Sequence, residues 1–97
     1  MNSPNTLPED EETIEKILAS ASIESIGIII IRTKKNNKYY WKVIRIDSVS
    51  GTEIFSYEYK TGEEMLDTFS VVLHRETDSV INLYIADGIH PIIQMNI

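Results

Sequence analysis

Apolar and polar positions in the first quarter of the chain alternate with a helical period. The apolar residues recur at i, i+3, i+4 and i+7, namely Ile14, Ile17, Leu18 and Ala21. Thr6 followed by Glu9 is a capping-box sequence, and further acids after it suit the positive end of a helix dipole. The pattern predicts a first helix over residues 7–20, preceded by a flexible tail over residues 1–5.

The segments that follow are rich in β-branched and aromatic residues and are separated by turn sequences, which predicts strands. Three consecutive strands are expected over 23–33, 38–49 and 52–60, and two more over 80–86 and 89–97. Asn36-Asn37, Ser50-Gly51 and Asp87-Gly88 supply the turns between neighbouring strands. Pro91 cannot donate to a ladder, so the last strand is expected at a sheet edge.

A second helical pattern separates these two groups of strands. Its apolar face would consist of Met65, Leu66, Phe69, Val72 and Leu73. Thr61 and Glu64 form another capping box, so helix two is expected over residues 62–75. The element order α-β-β-β-α-β-β predicts an α+β fold in a single domain over residues 6–97. About five strands would form one antiparallel sheet with both helices on one face.

The turn positions predict which residues share a face of the sheet. An Asn36-Asn37 turn pairs Arg32 with Trp41, and a Ser50-Gly51 turn pairs Ile44 with Tyr57. One face then forms the core with Ile29, Ile31, Ile44, Ile46, Phe55 and Tyr57. The opposite face is expected to be open, with an apolar centre and a charged rim. Its candidate partner-binding residues are Trp41, Ile28, Ile30, Val43, Arg32 and Arg45. The alternative is that helix one or the C-terminal hairpin covers it.

Charge is unevenly distributed along the chain. Six basic residues and no acid lie between Arg32 and Arg45, whereas the chain as a whole has a net charge of -6. An acidic protein repels nucleic acid at long range, so a nucleic-acid partner is disfavoured. The lysines of the first hairpin, Lys34, Lys35 and Lys38, suggest either a small-anion or nucleotide site or an ordinary solvated hairpin tip.

Candidate catalytic and metal chemistry is sparse. The chain has no cysteine, and its two histidines, His74 and His90, show no metal-ligand spacing. No catalytic triad motif and no glycine-rich phosphate loop is present. We therefore expect no metal, no cofactor and no enzymatic activity. The N-terminal sequence does not resemble a signal peptide, and the longest apolar run is too short to cross a bilayer, so a cytoplasmic location without membrane contact is expected.

These observations favour a small acidic, non-enzymatic protein-binding module such as an adaptor, inhibitor, immunity protein or chaperone. It would act through an open sheet face, and a homodimer formed through that face is the simplest arrangement. The alternative function is binding of a small anion or nucleotide by the basic hairpin over residues 32–42.

Overall fold

Every regular element in the described part of the chain is a β-strand. A computed structural model describes residues 11–48, 50–88 and 90–97, and these residues form seven strands and no helix. The strands are β1 (Thr13–Ile23), β2 (Ile26–Lys35), β3 (Lys38–Asp47), β4 (Ser50–Glu58), β5 (Ser70–Thr77), β6 (Val80–Ala86) and β7 (Ile93–Asn96). The predicted α+β fold is therefore wrong, and the described fold is all-β.

The strands form two antiparallel sheets rather than the predicted single sheet. The first sheet has the order β1-β2-β3-β4, and the second has the order β5-β6-β7. Residues 59–69 connect them without strand or helix. The expected edge position of the last strand is confirmed, because β7 is at the end of the second sheet.

The helical spacing in the first quarter of the chain belongs to a bulged strand. The pairing of β1 with β2 shifts by one residue between Ile14 and Lys16 and again between Ile17 and Ala19. A bulge inserts one extra residue, so Ile14 and Ile17, three positions apart, stay on the same face of a strand. Leu18 and Ala21, the other two residues of the predicted helical stripe, lie on the inner face, so the predicted first helix is wrong over the described residues. The predicted tail over residues 1–5 and the start of the predicted helix are outside the described residues.

The second predicted helix is also wrong. Residues 62–69 have no regular structure, and Ser70–Thr77 is β5. The Thr61 capping sequence lies in a tight turn, where the Glu63 N–H donates to the Lys60 carbonyl at 2.9 Å. Gly62 in that turn has a φ of 83°, a left-handed conformation that a helix start does not contain.

The first hairpin agrees with its predicted register throughout. Arg32 is opposite Trp41. Asn36 and Asn37 have φ values of 53° and 65°, as a tight turn between twisted strands requires.

The second hairpin turns earlier than predicted. Asp47 is opposite Ser50, so the strands are joined before Gly51, and a bulge between Val43 and Ile44 shifts the later pairs. Tyr57 is consequently opposite Trp41, whereas the predicted register placed it opposite Ile44. A displacement by an odd number of residues moves a side chain to the other face of the sheet.

The two sheets bury one shared core. Trp41, Ile28, Ile30 and Val43 of the first sheet are 0–1% exposed, and Leu83 and Ile85 of β6 belong to the same cluster. Phe69, at the end of the connection, approaches Trp41 with ring centroids 5.2 Å apart. Full burial of each large aliphatic side chain contributes about 1.5–3 kcal/mol. These residues therefore hold the two sheets together.

Candidate functional site

The residues predicted to form an open docking face are in the core. Trp41, Ile28, Ile30 and Val43 come together as predicted, but the second sheet covers them. The alternative that the C-terminal hairpin covers this face agrees with the structure, because Leu83 and Ile85 of β6 belong to the core cluster and β7 also packs against it. Helix one is not involved, since residues 13–23 form β1. In the folded chain these four side chains are not available to another protein.

The two arginines expected at the rim of that face make local ion pairs. Arg32 Nη1 donates to Asp67 Oδ1 at 3.0 Å, and Lys16 Nζ reaches the other oxygen of the same carboxylate at 2.6 Å. Arg45 Nε donates to Asp47 at 3.1 Å. Arg32 therefore fastens the connection between the sheets to β2, while Arg45 pairs within its own strand.

The outer face of the first sheet is apolar over much of its area, and the second sheet leaves it uncovered. Strand pairing places six isoleucines on it, which we call the isoleucine face: Ile14, Ile17, Ile29, Ile31, Ile44 and Ile46. Ile14 is 67% exposed and Ile17 is 63% exposed, and the other four are partly exposed. Four of these residues were predicted to form the core face, so inner and outer faces are exchanged relative to the prediction.

The outer face of the second sheet offers a comparison within the same molecule. Its residues are mainly polar, and cross-strand pairing places together Val72, His74, Asn82, Tyr84, Gln94 and Asn96. A sheet face that meets water usually has this composition. The isoleucine face departs from it, and apolar patches of this kind mark contact sites.

One lysine and two glutamates form a cluster of ion pairs toward one end of the isoleucine face. Lys42 Nζ is 2.7 Å from Glu12 and 3.2 Å from Glu53, and its side chain is only 14% exposed. Thr33 donates a hydrogen bond to the same Glu12 carboxylate. Burial opposes ionisation of Glu12, but hydrogen bonds from Lys42 and Thr33 outweigh it and hold the pKa of Glu12 below its usual value. A partner could therefore cover this end without burying an unpaired lysine.

The three lysines of the hairpin tip do not converge. Lys34 lies opposite Tyr39, with its ammonium 5.4 Å from the centre of that ring. Lys35 is opposite Lys38, and because neighbouring residues alternate, this pair projects from the other face. Lys38 Nζ is also 3.8 Å from Glu58. The tip therefore presents separated cations rather than one anion-binding cluster.

A cavity of about 280 Å³ lies beside this tip, between β3, the end of β4 and the connection. Tyr39 and Tyr59 contribute aromatic walls. Its charged lining residues are two lysines and two glutamates: Lys38, Lys60, Glu58 and Glu63. Because both charge signs are present in equal number, the cavity favours neither anions nor cations.

A cluster of polar side chains joins the connection to the end of the second sheet. His90 Nδ1 is 2.6 Å from Asp87 Oδ2, and His90 Nε2 is 3.1 Å from Glu63 Oε2. The Tyr57 hydroxyl donates to Glu63 at 3.0 Å. Local sequence patterns do not bring these residues together, because they come from three separate segments. The one available signal was a histidine three residues after the aspartate of a turn.

Neither a metal centre nor a membrane span is found where the chain is described. Within residues 11–48, 50–88 and 90–97, no three His, Cys, Asp or Glu side chains are grouped so that they could hold a metal ion. Over the same ranges, no helix has the length and apolar character needed to cross a bilayer. Comparison with protein-family models, with curated proteins and with solved structures finds no match to this chain.

Proposed function

We propose that the chain is a small acidic, non-enzymatic protein-binding module that self-associates through the isoleucine face. The observation that carries the proposal is the contrast between the two outer faces. The second sheet presents polar residues to water, whereas the first presents six isoleucines. Exposed aliphatic side chains on a sheet are stabilised when another apolar surface covers them.

A second copy of the chain is the occupant that suits this face. Two sheets pack face to face about 10 Å apart when both present aliphatic side chains. An isoleucine face offers the same chemistry on both sides of a two-fold contact, the commonest symmetry of protein dimers. The ion pairs of Lys42 with Glu12 and Glu53 leave no unpaired lysine to be buried in such a contact.

The size of the face predicts a weak dimer. Four strands about 4.8 Å apart, each contributing about eight residues at 3.3 Å, give a footprint of roughly 500 Å². Two such faces bury about 1,000 Å² together, the lower end of specific interfaces. We therefore expect a concentration-dependent dimer in the micromolar range rather than a permanent one.

Anion binding by Lys34, Lys35 and Lys38 has less support, because these lysines project from opposite faces of the hairpin. Absence of cysteine in so small a chain favours the cytoplasm as its location. In that compartment the module would act by docking rather than by catalysis.

The test is the oligomeric state of matched surface variants. Analytical ultracentrifugation of the full chain between about 1 and 300 μM should show the mass rising from 11.1 kDa toward twice that value. Ile44→Lys places a charge on the isoleucine face and should leave a folded monomer. Val72→Lys places the same charge on the outer face of the second sheet, where Val72 is 57% exposed, and should dimerise like the parent. A parent chain that stays monomeric at 300 μM, or an Ile44→Lys variant that still dimerises, would overturn the proposal.

A further inference from the structure

The connection over residues 59–69 is held to the rest of the molecule at a few points. Near its start, the Tyr59 N–H donates to the Tyr39 carbonyl at 2.8 Å. Near its end, Asp67 pairs with Lys16 and Arg32. Between these points, the contact of Glu63 with His90 ties the connection to the end of the second sheet.

His90 faces a carboxylate with each of its ring nitrogens. Nδ1 lies 2.6 Å from Asp87, and Nε2 lies 3.1 Å from Glu63. An imidazolium has an N–H on both nitrogens, whereas neutral imidazole has one N–H and one lone pair. The observed geometry is therefore satisfied on both sides only when His90 is protonated. In the neutral form one carboxylate must face a lone pair.

We propose that His90 is a proton-dependent clasp, which fastens the connection to the second sheet in its charged form and releases Glu63 when it becomes neutral. The lone pair is expected on Nε2, for a geometric reason. Asp87 is buried and also accepts a hydrogen bond from the His90 backbone N–H at 2.8 Å. Two contacts, one to the backbone and one to the ring, therefore fix the position of Asp87 relative to His90. The contact with Glu63 has no such backbone support from His90, so it is the one that is lost. The Glu63 carboxylate then keeps its hydrogen bonds from the Tyr57 hydroxyl and the Lys60 N–H.

The surroundings of His90 favour its charged form. The hydrogen bond to Asp87 raises the pKa of His90, partial burial opposes the rise, and the charges of Asp87 and Glu63 add to it. The charge of Lys60, on the same connection as Glu63, lowers the pKa of His90.

The remaining titratable groups around His90 come from the connection and from β4. Glu64 of the connection lines the small gap beside the ring, together with Tyr59. From β4, the Tyr57 ring approaches His90 with centroids 5.5 Å apart. Most of the charged groups around the imidazole are thus acidic.

The direction of the pH effect follows from linkage. A histidine whose pKa is raised by folding stabilises the closed form fully below its unfolded pKa, near 6.5. That stabilisation is lost as the pH rises through the raised folded value. The clasp is therefore closed below the unfolded pKa of histidine and opens as the pH rises through the raised pKa of folded His90.

Amide hydrogen exchange tests the clasp directly. The Glu63 N–H donates to the Lys60 carbonyl in the turn that positions the Glu63 carboxylate, so its protection factor reports loosening of that turn when the contact with His90 is lost. Between pH 6 and pH 9 the protection factor should fall by about tenfold for each unit by which the pKa of His90 differs between the closed and open forms. His90→Gln should show low protection that no longer varies with pH. The matched control, His74→Gln, changes the exposed histidine on β5 and should keep the parent profile.

A second measurement separates the clasp from a purely structural role of His90. NMR titration of the His90 ring in the parent and in Glu63→Gln should give a lower midpoint in the variant, because one of the two carboxylates is neutralised. Equal midpoints in the two proteins would overturn the proposal. So would a Glu63 protection factor that is constant between pH 6 and pH 9. Both readouts remain available if His90→Gln fails to fold.

Discussion

Arg32 and Trp41 are directly opposite each other across β2 and β3, and both belong to the inner face of the four-stranded sheet. Trp41 is 1% exposed and touches Phe55 and Phe69, while the Arg32 guanidinium bonds Asp67 at the margin of the core. Their pairing was predicted from the sequence, but on a face open to partners. The second sheet packs against that face and buries it, so the isoleucine face is on the outside of the molecule.

Truncation of two neighbouring isoleucines on β2 should lower the free energy of unfolding by different amounts. Ile30 is fully buried, so Ile30→Ala should lower the free energy of unfolding by about 2–5 kcal/mol, the usual cost of a core cavity. Ile31 projects from the isoleucine face, so Ile31→Ala should cost clearly less in the monomer. Urea unfolding at low protein concentration measures both. Equal losses, or a larger loss at Ile31, would contradict the assignment of the faces.

The left-handed turn of the first hairpin should tolerate glycine but not a β-branched residue. Asn37 has a φ of 65°, so Asn37→Val should destabilise the chain by about 1–2 kcal/mol, and Asn37→Gly should not. Ser56→Val is the matched control, because the side chain of Ser56 on β4 is exposed, and it should change the unfolding free energy little. Thermal unfolding followed by circular dichroism gives the comparison. An Asn37→Val variant that unfolds at the same midpoint temperature as the parent would contradict the turn assignment.

Asp67 should make the fold sensitive to acid. Hydrogen bonding from Lys16, joined by Arg32, outweighs partial burial and holds the pKa of Asp67 below its usual value. A carboxyl group whose pKa is lowered by folding stabilises the folded state when the pH is above its unfolded pKa, near 3.9. This stability is lost as the pH falls through the pKa of the folded state. Asp67→Asn should therefore be less stable than the parent at pH 7, with the gap narrowing below about pH 4.

Urea unfolding at pH 7 and at pH 3 measures this gap. Asp78→Asn, in the exposed β5–β6 turn, is the control and should follow the parent at both pH values. A gap between parent and Asp67→Asn that is unchanged at pH 3 would show that the ion pairs of Asp67 contribute nothing.

Self-association should strengthen with added salt. Each copy has a net charge of -6, so two copies repel one another, and salt screens that repulsion while leaving the apolar contact intact. The dimer dissociation constant, measured by ultracentrifugation, should be lower at 500 mM than at 20 mM NaCl. Weaker association at high salt would indicate a contact made by charges, such as the hairpin lysines, instead of the isoleucine face.

Local sequence signals were sufficient where short-range chemistry decides the structure. Asn36-Asn37 accepts positive φ and set the register of β2 with β3, and the β-branched segment of β6 was recognised over its full length. Local signals failed in β1, where a bulge keeps Ile14 and Ile17 on one face at a helical spacing while Leu18 and Ala21 lie on the other. They also failed in β4, where an early turn and a bulge reversed the face on which Phe55 and Tyr57 lie.

The sequence by itself determined an acidic, cysteine-free chain with a β2–β3 hairpin whose residues divide into two faces. Only the tertiary structure decided which face is the interior. Alternation assigns each side chain to one of two faces but does not tell which face is buried. In β2 both faces are aliphatic, with Ile28 and Ile30 on one and Ile29 and Ile31 on the other. The choice was made by packing against β6 and Phe69, residues distant in the chain whose positions local patterns do not contain.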